Sequence, residues 1–155
     1  MKLHVLEREQ WLPAALDRVF AFFADAANLE AITPAWLGFR IRTQLPVAMR
    51  PGARIDYTIR LGPVPMRWRT LIPVWEPGKR FVDVQERGPY AHWEHRHEFV
   101  PLGDGVLMRD EVRYALPFGP LGTATHAILV RALLARVFDF RFERVREIFS
   151  VAGGH

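Results

Sequence analysis

Alternation of apolar and polar residues, repeated in one segment after another and cut each time by glycine or proline, most restricts what this chain can fold into. Over 54–61, Ile55, Tyr57, Ile59 and Leu61 fall on one face, and Arg54, Asp56, Thr58 and Arg60 on the other. Over 66–74, Met66, Trp68, Thr70, Ile72 and Val74 share a face opposite Arg67 and Arg69. A two-residue period marks strands with one buried face, as in an antiparallel sheet. Pro51-Gly52, Gly62-Pro63, Pro77-Gly78 and Gly88-Pro89 supply the turns. Further strands are expected over 3–11, 39–43, 80–87, 91–100 and 106–116.

The pattern changes after Pro117–Pro120. From about 123 to 149 there is no proline or glycine, and Val130, Leu134, Val137, Phe138, Phe142, Val145 and Phe149 make a helical stripe. Arg131, Arg136, Arg141, Arg144 and Arg146 cover much of the rest. Such a helix, about 40 Å long at 1.5 Å per residue, needs a sheet to cover its apolar face. Near the N-terminus, Pro13 opens a helix striped by Leu16, Val19, Phe20 and Phe23. Asp25–Asn28 interrupts it, and 29–32 reads as a second short helix ended before Pro34. The expected fold is α+β: a curved seven-stranded antiparallel sheet wrapped around a long C-terminal helix, with two short helices between strands 1 and 2. The 155 residues and 17.9 kDa suit one domain over 1–150, with 151–155 as a flexible tail.

Composition narrows the function by exclusion. There is no cysteine, which removes disulfides, thiolate metal sites and cysteine nucleophiles. The single serine, Ser150, leaves no serine hydrolase. No phosphate loop, dinucleotide fingerprint or His-Glu-x-x-His is present. No run of about 18 apolar residues offers a spanning helix, and Met1-Lys2-Leu3-His4 does not open a secretory signal. A cytoplasmic location is expected, without stable membrane insertion. Net charge is +4, and all basic residues but Lys2 and Lys79 are arginine. Arg40, Arg42, Arg54, Arg60, Arg67 and Arg69 are expected on a solvated outer face. No nucleic-acid partner is expected, because no recognition module accompanies them.

Polar residues on inward faces are the informative exception. Over 91–100, Ala91, Trp93, His95, His97 and Phe99 share the inner face. Over 106–116, Asp110 falls among Val106, Met108, Val112 and Tyr114. A four-residue loop Pro101–Asp104 would pair Val100 with Gly105, set His95 opposite Asp110 and His97 opposite Met108, and join His95 to Asp110 by a hydrogen bond. On the preceding hairpin, a three-residue loop puts Asp83 opposite His95 and Gln85 opposite Trp93. A five-residue loop puts Gln85 opposite His95 and Asp83 opposite His97, whereas a four-residue loop would turn Asp83 and Gln85 outward; an odd loop is favoured because it also buries Phe81. Buried groups of this kind need partners. They serve either as a satisfied network that fixes register or as the polar end of a ligand cavity. As a pair, His95 and Asp110 are the candidates for acid–base catalysis. His-x-His with an aspartate could hold a metal, but no metal and no cofactor are expected. Phe39, Tyr57, Trp68, Trp93, Leu134 and Phe138 are the apolar candidates for the cavity wall, and Trp36, after Pro34, for its mouth.

Specific residues carry a family resemblance: Val19-Phe20, Asp25 and Leu29; Pro34; Pro77–Phe81; the tract from Phe81 to Pro89; Trp93–His97; and Asp110-Glu111. With these, the whole chain resembles the START/SRPBCC helix-grip superfamily, described as polyketide cyclase/dehydrase and lipid transport. It is similar to a bacterial subgroup found alone or joined to epimerase-like short-chain dehydrogenase domains. The resemblance implies a cavity between sheet and helix and no single activity. The expected function is binding of a small hydrophobic or amphipathic ligand of lipid, polyketide or isoprenoid type, as carrier or sensor, by a monomer or weak homodimer. One alternative is a cyclase or dehydratase using His95 and Asp110. A second is an interaction module for an oxidoreductase partner.

Overall fold

Seven strands form one antiparallel sheet in the computed structural model of the chain, which describes residues 2–117 and 124–153. In chain order the elements are β1 (His4–Leu12), α1 (Leu16–Ala24), two 3-10 segments (Ala26–Ile32 and Ala35–Leu37), β2 (Arg40–Ile41), β3 (Ala53–Leu61), β4 (Val64–Glu76), β5 (Arg80–Arg87), β6 (His92–Leu102), β7 (Gly105–Ala115) and α2 (Ala124–Gly153). The strand order is β1-β7-β6-β5-β4-β3-β2. Every strand from β2 to β7 lies beside its neighbour in sequence, and β1 closes onto β7.

The helix-grip architecture is therefore present, with differences of detail that have local causes. The strand expected over 39–43 is only two residues long. Pro13 lies before the helix instead of in it, since α1 starts at Leu16. The second short helix is a 3-10 segment, capped by Asp25, whose carboxylate accepts from Ala27 N at 3.0 Å. Helix α2 runs to Gly153, into the segment expected as a tail; 154–155 and most of the break at 117–120 lie outside the described residues.

The β6–β7 turn is shorter than expected. Leu102 pairs with Gly105, leaving Gly103-Asp104 as a two-residue turn, with Gly103 in the left-handed region that such turns require (φ 59°). Pro101 stays in the strand, opposite Val106. It can do so because β5 pairs with β6 only as far as Arg80–Glu98, so a missing N–H there breaks no ladder on that side. The register accordingly differs from the expected one: His97 faces Asp110, and His95 faces Val112.

On the β5–β6 side Asp83 faces His95, the alignment of a three-residue loop, although ladder pairing stops at Val84–Glu94. Beyond that pair the Gln85 side chain acts as a clasp. Its Nε2 donates to Tyr90 O at 2.8 Å, and its Oε1 accepts from Tyr90 N at 3.1 Å. Gly88 makes room for this clasp: a Cβ there would lie 2.5 Å from Gln85 Oε1.

The buried residues form three clusters. One joins Leu12, Val19, Phe20, Phe81, Phe99, Met108, Val145 and Phe149. A second joins Ile59, Trp68, Trp93, Val112, Tyr114, Leu134 and Phe138. A smaller third joins Ala26, Ala53, Ile55 and Ile72. On the outer face, part of the expected arginine charge is neutralised: Arg54 meets Glu86 at 2.6 Å and Arg69 meets Asp56 at 2.7 Å. Among the described residues no helix is long and apolar enough to cross a membrane.

Candidate functional site

Because the curved sheet does not close fully on α2, a cavity of about 410 Å³ remains between them. Phe39, Tyr57, Trp68, Trp93, Leu134 and Phe138 line it, as do Asp83, His95 and His97. Three residues expected at the site lie elsewhere. Gln85 is taken up by its clasp on Tyr90. Asp110 sits behind the histidines and is not part of the lining. Trp36 is 44% exposed, its ring lying under the Arg136 guanidinium at 4.7 Å, while its neighbour Leu37 reaches the cavity.

Strand β6 supplies the centre of the site. Its inner face carries Trp93, His95, His97 and Phe99, all buried. The two imidazoles stack with centroids 3.6 Å apart, and Phe81 stacks on the far side of His97 at 4.0 Å. Phe138 of α2 meets His95 edge-on at 5.5 Å. These contacts fix both rings, and the two flanking strands supply an aspartate each. His95 Nε2 lies 2.8 Å from Asp110 Oδ1, and His97 Nε2 lies 2.6 Å from Asp83 Oδ2. The remaining nitrogens face the opposite acids at longer range: His95 Nδ1 to Asp83 at 3.7 Å and His97 Nδ1 to Asp110 at 3.4 Å. The expected His95–Asp110 bond thus exists, but it runs diagonally across the ladder, because Asp110 is directly opposite His97.

The electrostatics follow from this box. Burial works against a charge on His97, yet bonds and attraction from Asp110 and Asp83 outweigh it and raise its pKa above 6.5. For His95, burial and the neighbouring His97 dominate, and its pKa is lowered. Burial favours the neutral acid at Asp110, but hydrogen bonds and charge from both histidines hold its carboxyl far below the usual range. Asp83 is lowered as well: burial opposes the shift, and His95, His97 and Arg141 overcome it. The two shifts set the rings apart: His97 takes up a proton more readily than His95, and the four groups titrate as a coupled set. Donor atoms of Asp83, His95 and His97 lie within 4.8 Å of one another, a grouping that a metal ion could use. Here those atoms are engaged in hydrogen bonds with one another and with Asp110.

Thr70, Tyr90 and Arg141, which are not among the expected site residues, complete the wall. Thr70 and Tyr57 meet at 3.4 Å between their hydroxyl oxygens, and burial pushes the Tyr57 phenol up, so it stays protonated. Tyr90 packs on Trp93 at 4.9 Å. Arg141 is the most unexpected. It stands among the outward arginines in a reading of composition, yet it lines the cavity, its Cζ 5.1 Å from the Phe138 ring centroid. Phe142, expected on the stripe, is 36% exposed instead. The signal lies in the spacing: 134, 137, 138, 141, 145 and 148 follow one helical face, and at that turn the face carries Arg141.

The fold recurs in proteins of very different sequence. TTHA0849 from Thermus thermophilus superposes with a TM-score of 0.69 at 21% identity, covering 96% of this chain and 99% of that one. The Zhui aromatase/cyclase from Streptomyces sp. R1128 superposes with a TM-score of 0.75 at 13% identity, covering 96% and 94%. Ara h 8.0201 gives 0.63 at 13%, covering 93% and 98%. No curated protein matches the sequence. At the level of family, residues 12–142 match the group described as polyketide cyclase / dehydrase and lipid transport. That match spans most of the chain, its inward histidines and its cavity wall included, and the chain belongs to this family.

Proposed function

We propose that the protein binds a small hydrophobic or amphipathic molecule in the cavity between sheet and α2, as a carrier or sensor. The observation that carries this reading is the cavity itself: about 410 Å³, walled mostly by aliphatic and aromatic side chains, with a few polar groups gathered on β5, β6 and α2. Pockets of this size and lining suit small organic ligands, the polar groups fixing their orientation. The test is organic-solvent extraction of the purified protein followed by mass spectrometry. A copurifying apolar molecule in near-stoichiometric amount is the expected result. A protein that carries none, and takes up none from a mixed lipid extract, would overturn the reading.

A cyclase or dehydratase is the second reading, favoured by the 2.8 Å His95–Asp110 bond beside the cavity and by a His95 whose lowered pKa suits a base. The geometry supports it less well. One nitrogen of each ring is hydrogen-bonded to a carboxylate, His95 Nε2 to Asp110 and His97 Nε2 to Asp83, and the other faces a second carboxylate at 3.7 and 3.4 Å, so a substrate would have to compete with these acids for either ring. Turnover of a ring-closing or dehydrating substrate by the wild type, abolished in His95→Gln without loss of binding, would reverse the order of the two readings.

A further inference from the structure

Two buried donors on the described wall have no hydrogen-bond partner: Arg141 Nε on α2 and Trp68 Nε1 on β4. They face the same cavity from opposite layers. A buried donor without an acceptor is costly, and more so on a guanidinium, which stays charged in an apolar space. Apolar neighbours at Val137, Phe138 and Val145 show that this face of α2 is otherwise chosen for packing.

We propose that Arg141 is the head-group receptor of the cavity, and that the occupant is an apolar molecule ending in a carboxylate or another oxyanion; this rests on the reading of the cavity as a ligand site. The acids near Arg141 do not already fulfil the role. Asp110, Asp83 and Tyr57 are the titratable groups whose fields reach it. Both aspartates are hydrogen-bonded to the histidines, and neither forms an ion pair with Arg141. Each carboxylate has a hydrogen bond to a histidine, and Arg141 Nε has none. The side chain that lacks an acceptor is also a planar fork suited to an oxyanion. Trp68 Nε1 adds a neutral donor to the same space.

The experiment is calorimetric titration of the full chain with three probes that share one ring system: 2-naphthoate, 2-acetylnaphthalene and 2-ethylnaphthalene. Water holds a carboxylate more strongly than a ketone or a hydrocarbon, so an apolar cavity without a receptor binds the acid worst. The expected result is the reverse, with 2-naphthoate tighter than 2-ethylnaphthalene by about tenfold, the worth of one charge-assisted bond. Arg141→Met removes that preference and leaves 2-ethylnaphthalene unchanged, and Arg141→Lys keeps part of it. Trp68→Phe weakens 2-naphthoate less than Arg141→Met does. The proposal is overturned if wild type binds 2-naphthoate no tighter than the two neutral probes, or if the preference survives Arg141→Met. If the neutral probes bind and the acid gains nothing, the cavity remains a ligand site and only the head-group assignment falls. If none of the three binds to wild type, both fall.

Discussion

The two halves of α2 meet the sheet on different terms. Toward its C-terminus Val145 and Phe149 are fully enclosed, locked between α1 and the β6–β7 end of the sheet with Leu12, Phe20 and Phe99. Phe149 meets Phe22 edge-on at 5.5 Å and lies under the Arg18 guanidinium at 5.3 Å. Toward its N-terminus the helix carries Leu134 and Phe138 over open space, and Ile128 and Leu129 are 67% and 63% exposed. One end is a packed interior and the other a wall around a void. A chain of this size can leave a cavity unfilled because the other end concentrates its close packing.

The largest expected effect tests that contrast directly. Phe149→Ala should destabilise by about 3–5 kcal/mol, the range for a large aromatic lost from a closed core. Leu134→Ala, at a site already facing a void, should fall at the low end of its class, about 2 kcal/mol. Urea denaturation of both variants decides it. Equal losses would mean that the two ends do not differ in packing.

Asp110→Asn comes next. It leaves His95 and His97 poorly satisfied and should cost about 1–3 kcal/mol. A thermal melt with unchanged midpoint would show that the box of histidines and aspartates carries no stability and belongs wholly to ligand recognition.

The pH dependence is smaller near neutrality and has a definite sign. Asp83 and Asp110 have lowered pKa values, so their stabilisation is present above the unfolded value of 3.8 and is lost as pH falls through the folded values. His97 is raised, so its contribution is complete below 6.5 and is lost as pH rises through its folded pKa. His95 is lowered and acts below 6.5: stability rises as pH climbs from its folded pKa to 6.5 and does not change with it above. The two windows lie on opposite sides of 6.5, so the melting temperature should be highest near 6.5 and fall on either side, with the carboxylates adding a further loss in acid. Ring-resonance NMR should find one imidazole titrating on each side of 6.5. Two imidazoles titrating together would break the division between His95 and His97.

Arg141→Met should change stability least, within about 1 kcal/mol, because removing an unpartnered buried donor offsets the loss of attraction to Asp83 and Asp110. A loss beyond about 3 kcal/mol would make Arg141 a structural counter-ion.

Much of this architecture is legible in the order of the residues alone. Period-two patterning assigns inner faces to β3, β4, β6 and β7, because burial of one face acts on every second side chain. The inward placement of His95, His97 and Asp110 follows from the same parity; on β5, Val82 and Val84 compete with Asp83 for the inner face, and parity alone leaves Asp83 open. Pairing register does not follow from parity, since it depends on where a turn begins. Pro101 reads as a strand breaker, and only the absence of β5 beside it lets it remain in β6. The phase of α2 is hidden for a related reason. From Phe138 the stripe can continue to 141 or to 142, and hydropathy favours Phe142 where packing places Arg141. A polar residue chosen for a ligand looks, in sequence, like a polar residue chosen for water.

Strand β2 has a consequence for how the molecule keeps apart from its own copies. An unpaired strand edge is a template on which further chains can add. Here Arg40 and Ile41 cover only Thr58 and Tyr57, and Asp56 O is taken by Arg42 N and Thr43 N at 2.7 and 3.2 Å. What remains of the outer edge of β3 is short and flanked by Arg54 and Arg60. A neighbouring strand seeking to extend the sheet would find too few free groups in a row, and a cation at either end of them. Replacing both arginines with valine should therefore turn a chain that stays dispersed when concentrated into one that forms sheet-rich aggregates, seen as thioflavin fluorescence growing with protein concentration.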